Sequence, residues 1–150
     1  MLDALFGHAP VGLGIWSTEL RFARVNAALA EINGVAEEEH LGRLPSEVLG
    51  ALGLEVEATL AEVVRTGEAV RGLEVSGATP AAPDEIRHFR VDYYPVPNPD
   101  GSLLGVAAVV ADITTERAMV DERSRLVREA LTARAHAEAG RLTLELIPLD

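Results

Sequence analysis

The chain predicts an α+β fold: a five-stranded antiparallel sheet with short helices on one face, followed by a long C-terminal helix. Three observations carry this. Val106 to Ala111 is a near-continuous apolar run, too short to cross a membrane, and reads as a strand buried on both faces. It breaks at Asp112-Ile113-Thr114, after which the composition is helical to Ile147. Upstream, the local signals run in the order two strands, three or four short helices, then three strands, with no internal repeat.

Each element has its own justification. Residues 1–10 form a lead-in: Leu2, Leu5 and Phe6 suit a short amphipathic helix, and Ala9-Pro10 breaks it. Residues 11–113 hold the domain. Val11 to Ser17 and Phe22 to Val25 read as a hairpin around the polar turn Thr18 to Arg21. Asn26 is placed to cap a helix over Ala27 to Asn33, and Gly34 supplies its left-handed end. Glu37, Glu38 and Glu39 crowd a helix N-terminus, where the backbone dipole favours carboxylates. Pro45-Ser46 opens a short segment ending near Gly50 or Gly53. From Leu54 the apolar spacing of Val56, Leu60, Val63 and Val64 is helical, and Gly67 ends it. Val70 to Ser76 is a third strand, and Pro80 and Pro83 mark a mobile loop. Ile86 to Pro95 alternates, with Phe89, Val91 and Tyr93 on one face and His88, Arg90 and Asp92 on the other. Asn98 to Gly101 is a turn leading to the fifth strand. Residues 114–150 form the outgoing helix, with Thr114 as its cap and Pro148 as its stop.

Composition narrows the function. Of 150 residues 48% are apolar, enough for a folded core. The net charge of −11 argues against nucleic acid and anionic membrane surfaces as partners. There is no cysteine, hence no disulfide, thiolate nucleophile or cysteine metal site. No leader or membrane span is readable, so the expected location is cytoplasmic.

The ordered motifs resemble the PAS sensory domains, over about Leu5 to Arg117. They are Ala9 to Gly12, Asn26 at the end of the second strand, Gly34, Leu41-Gly42-Arg43, Thr66-Gly67-Glu68 and Asp112-Ile113-Thr114. Ser17-Thr18-Glu19 departs from the Asp and Gly usual in the family's first turn, which should alter that hairpin locally. The resemblance implies a PAS-type sheet with a C-terminal signalling helix. By the same resemblance Asp112 and Thr114 couple sheet to helix, with Arg117 as charge partner of Asp112.

No catalytic constellation can be assembled, so the expectation is a protein that is not an enzyme. Gly12-Leu13-Gly14 lacks the third glycine and the following helix of a dinucleotide loop. Most carboxylates lie in solvated helical charge runs. An α+β cone enzyme using Asp92 or Asp112 would need one of them buried with a raised pKa. Haem-binding relatives ligate iron from the long helix, here Leu54 to Thr66, which has no histidine. His8, His40, His88 and His136 read as surface or helix-end residues, and His40 is the haem reading's remaining histidine. Cysteine-dependent flavin photochemistry is excluded. Trp16 reads as a packing residue. Haem and flavin are therefore disfavoured and no metal is expected.

What remains is a cavity under the sheet. Its candidate lining is Ile15, Asn26, Leu29, Leu44, Leu60, Val64, Phe89, Val91, Tyr93, Val106 and Ala108, with Leu49 beside them. The small residues Gly14, Gly105, Ala107 and Ala108 would leave room for a small apolar ligand, with Tyr93 or Asn26 as polar handle. In the outgoing helix Ile113, Val120, Val127 and Leu131 form an apolar seam barely two heptads long. It fits either a parallel homodimer or a helix packed back on the sheet. The expected partners are thus a second copy and an effector domain absent from the chain, such as a histidine kinase, a cyclic-nucleotide enzyme or a phosphatase. The function expected is a PAS sensor or dimerisation module of a signalling protein, as in two-component regulation. The alternative is a haem- or flavin-binding redox, gas or light sensor.

Overall fold

The computed structural model describes Gly7 and residues 11–146, with side chains through Ala139. The lead-in over residues 1–6, His8, the Ala9-Pro10 break and the Pro148 stop lie outside them. Two compact units divide between Thr114 and Thr115.

The first unit opens with β1 (Gly12–Ser17) and β2 (Phe22–Val25), followed by α1 (Ala27–Asn33), α2 (Glu37–His40), α3 (Pro45–Leu49) and α4 (Ala51–Thr66). It closes with β3 (Val70–Thr79), β4 (Ala82–Pro97) and β5 (Leu103–Asp112). All pairings are antiparallel in the order β2-β1-β5-β4-β3, so the first and last strands meet in the centre of the sheet.

Local chemistry explains the helix ends. The Asn26 side chain accepts from Leu29 N at 2.9 Å, and Gly34 closes α1 at φ 75° with its N–H on Ala30 O. Gly67 closes α4 at φ 70° in the same way. Gly53, one of two expected terminators, instead lies inside α4, which starts three residues earlier than the sequence suggested. A Cβ at Gly53 would lie 2.1 Å from the Pro45 carbonyl oxygen, so its role is to let α3 and α4 touch.

The loop expected at Pro80 and Pro83 is a tight hairpin turn, with Thr79 paired to Ala82. Pro83 is tolerated in β4 because pairing with β5 begins only at Phe89, so that edge of β4 is open there. The first hairpin carries strain where the sequence departs from the family. Leu20 is the one non-glycine with positive φ among the described residues, at 69°, and the Ser17 hydroxyl accepts from Glu19 N and Arg21 N.

The core lies between the sheet and α1 to α4. Phe89, Val91 and Tyr93 face inward from β4, as their alternation predicted, and Val106 and Ala108 from β5. In β1 the inward residues are Gly12, Gly14 and Trp16. Ile15, expected on that face, is on the other, half-buried beside its register partner Ala107. The space above Gly14 is not left for a ligand. A Cβ there would lie 2.6 Å from Trp16 Cη2, so the missing side chain is what lets the indole fold back across β1. Nor is β5 buried on both faces, since Ala107 and Val109 on its outer side are half-exposed.

From Thr115 on, the second unit is made by α5 (Thr114–Leu146), laced by Arg125 to Glu122 and Glu129 and by Arg134 to Glu138. Val120, Val127 and Leu131 are exposed, as are Met119 and Leu126. Ile113, expected as the first residue of that seam, is buried in the sheet unit instead, with its N–H on His88 O at 2.8 Å.

Candidate functional site

A pocket of about 40 Å³ lies under the inner face of the sheet. Strand β4 brings Phe89, Val91 and Tyr93 to it, β1 brings Trp16, α1 brings Leu29, Ile32 and Asn33, and α3 to α4 bring Leu49, Leu52 and Val56. On a scale of about 10–15 Å³ per water, it holds roughly three water-sized groups.

Of the expected lining, Leu29, Phe89, Val91 and Tyr93 are on the wall, as is Leu49. Leu60, Val106 and Ala108 are buried in the core away from it, and Leu44 and Val64 are half-buried off it. Ile15 faces the other way. Asn26 is no polar handle: its side chain accepts from Leu13 N and Leu29 N and donates to Val11 O, each at 2.9 Å. That network pins β1 to the start of α1. Sequence reading missed Trp16, Asn33 and Thr79 as wall residues. The one local signal for Trp16 was its place two residues after Gly14, on the same face.

Polar atoms around the pocket are few and mostly committed. The Thr79 hydroxyl donates to Ile32 O at 3.2 Å. Asn33 Nδ2 is 3.0 Å from His40 Nε2, while His40 Nδ1 is 2.8 Å from Ala36 O. A carbonyl can only accept, so Nδ1 carries the proton and Nε2 accepts from Asn33. His40 is therefore not at the surface as expected but wholly buried, with the Phe22 ring edge-on to it at 5.0 Å. The Trp16 ring is also 5.0 Å from Phe22 between centroids, tilted to it by 44°, and its Nε1 is buried with no partner. Burial, and then the charge of Glu55, pushes the Tyr93 hydroxyl well above its ordinary pKa, so it stays neutral.

The second feature is the corner where β5 becomes α5. Asp112 accepts from Thr114 N at 2.9 Å, from Thr114 Oγ1, and from Arg87 Nη1 at 3.0 Å. The capping oxygen thus comes from Asp112, and the Thr114 hydroxyl also accepts from His88 N at 2.9 Å. Arg87, on β4, was not read from the sequence. Arg117, expected as partner of Asp112, lies 3.9 Å from Asp121 within α5. Burial raises the Asp112 pKa, but the Thr114 hydrogen bonds and the Arg87 charge outweigh it and hold the carboxyl below its usual range. Asp92 accepts from Gly72 N at 2.6 Å on the outer face. His88 also points away from the pocket, toward Ser76 Oγ at 2.6 Å.

Among the described residues no group of three or more histidines and carboxylates could hold a metal, and no helix is long and apolar enough to cross a membrane. The family model described as PAS fold matches residues 6–118. No curated protein matches the chain. Solved structures do. The PAS domain of BvgS from Bordetella pertussis is 23% identical, with a TM-score of 0.65 over 86% of this chain and 95% of its own. A PAS domain from Colwellia psychrerythraea is 14% identical, with a TM-score of 0.63 over 76% and 95%. The VqmA dimer of Vibrio cholerae, whose target is DNA, is 21% identical, with a TM-score of 0.67 over 75% of this chain. The chain spans about half of VqmA, 52% of its length.

Proposed function

Because the chain belongs to the PAS-fold family, we propose that it is a sensor and dimerisation module that passes a change under its sheet to an effector through α5. One observation carries this reading: Phe89 lines the pocket and is the register partner of Asp112. Its neighbour His88 gives its N–H to the Thr114 hydroxyl and its carbonyl to Ile113 N. A displacement of β4 at Phe89 is therefore felt at once by the residues that start the helix.

In this reading α5 pairs with a second copy through Val120, Val127 and Leu131, whose exposed apolar surface favours burial. The chain is not an enzyme. Asp112, the carboxylate an acid catalyst would need raised, is held low. The effector is a separate domain, with a histidine kinase, a cyclic-nucleotide enzyme and a phosphatase as candidates, and the protein works in the cytoplasm. VqmA has DNA as its target; here the charge of −11 disfavours nucleic acid at this module, and membrane surfaces likewise. A small apolar molecule is the ligand class that suits the walls. Haem and flavin are disfavoured by the pocket's size and by His40, both of whose ring nitrogens are engaged.

Light scattering on the intact chain and on a version ending at Arg117 tests the proposal. The intact chain should be a dimer and the shortened one a monomer; a monomer in both overturns it. An absorption band above the aromatic region after reconstitution would instead favour the haem or flavin alternative.

A further inference from the structure

We propose that the pocket takes a small neutral molecule with an apolar body and one hydrogen-bond acceptor, and that the indole N–H of Trp16 receives that acceptor. This rests on the sensor reading above and specifies its ligand.

Trp16 lines the pocket, is 3% exposed, and has its Nε1 buried without a partner. Buried donors in folded proteins are nearly always satisfied, by protein, water or ligand. The neighbouring polar groups do not satisfy this one. No acceptor of the protein, the Thr79 hydroxyl and the Asn33 side chain included, lies within hydrogen-bond reach of it. The tilted contact of Trp16 with Phe22, which is itself edge-on to His40, holds the indole in place, and Gly14 leaves the space it occupies. The donor is thus fixed before any ligand arrives.

The rest of the wall sets the ligand's other properties. Among the described residues no charged side chain lines the pocket. A carboxylate, phosphate or ammonium would lose its water without meeting a counter-charge, so charged ligands are excluded. A pure hydrocarbon would fit the walls but leave the indole N–H unmet. Room for roughly three waters sets the size at about three non-hydrogen atoms, that of a small nitrile such as acetonitrile.

Trp16 is the only tryptophan, so the ¹⁵N-labelled full chain gives a single indole N–H resonance. Acetonitrile and propyne share one outline and differ in the acceptor. Titration with acetonitrile should move that resonance downfield saturably, and the nitrile should bind roughly three- to tenfold tighter than the alkyne. In Trp16→Phe, followed by ligand-detected NMR, the preference should vanish. Equal affinity for the two probes in the wild type overturns the inference, as does a preference that survives in Trp16→Phe. So does the lack of a saturable response to either probe. The wild-type comparison does not depend on the variant folding. Any of these failures leaves the dimer and helix coupling standing, since light scattering tests those separately.

Discussion

Replacing Asp112 by alanine should loosen the start of α5 while leaving the sheet folded. The carboxylate receives three hydrogen bonds, from Thr114 N, Thr114 Oγ1 and Arg87 Nη1. Loss of a capping acceptor costs about 1 kcal/mol. The ion pair is partly screened, with side chains 34% and 27% exposed, and adds about 0.5 kcal/mol. Arg87 Nε is already buried without a partner, so removing the guanidinium's counter-charge pushes the total upward. The sum is about 1.5 kcal/mol, or a fall in Tm of roughly 5–9 °C for a domain of this size.

Urea unfolding followed by Trp16 fluorescence reads the global cost. Hydrogen exchange over residues 112–120 reads the local one and should quicken about tenfold, more than in β1. Asp112→Asn keeps the oxygen that Thr114 uses but loses the charge and the hydrogen bond from Arg87 Nη1, since an amide nitrogen cannot accept, so it should cost about 0.5–1 kcal/mol. Unchanged exchange over 112–120 in the alanine variant would refute the coupling assigned to this corner, as would a global cost below about 0.3 kcal/mol.

The remaining predictions concern packing and pH. Gly53→Ala should destabilise by about 1–3 kcal/mol in denaturant, reversing the gain usual for alanine in a helix, because its Cβ would meet Pro45 O at 2.1 Å. His40→Leu leaves Asn33 Nδ2 unpaired in the core, while Ala36 O keeps its bond from Glu39 N, and should cost about 1–3 kcal/mol; a loss under about 0.5 would contradict the buried pairing. Since the Asp112 pKa is depressed on folding, its contribution is fully present above the unfolded value of about 3.9 and is lost as pH falls through the folded one. The stability gap between wild type and Asp112→Asn should therefore hold at about pH 6 and close near pH 2.5. A gap of the same size at both pH values would contradict the shift.

Whether a feature could be read from the sequence depended on how far apart its parts lie. The Asn26 cap, the glycines at 34 and 67 and the Asn98 to Gly101 turn are settled within four or five residues, and each is where the sequence put it. The break at Asp112-Ile113-Thr114 was legible for the same reason. Arg87 was not, because 25 residues separate it from Asp112 and only the β4–β5 register brings them together. His40 misled because a histidine after three glutamates looks solvated; its burial depends on Phe22 and Asn33, which belong to other elements.

The error in β1 was of another kind and had the larger consequence. Gly12, Leu13, Gly14, Ile15 and Trp16 offer two alternations, and side-chain hydrophobicity alone favours the one that buries Leu13 and Ile15. The structure takes the other, because two glycines cost little on the inner face when Leu29, Ile32 and the Trp16 ring fill the space above them. A single indole covers Gly14 and reaches the pocket, which neither isoleucine nor leucine could do. That choice of parity also turns the half-buried Leu13 and Ile15 outward, beside Ala107 and Val109 on β5. The apolar character of β5 that looked like burial on both faces is therefore divided, with one side closing the core and the other left half-exposed.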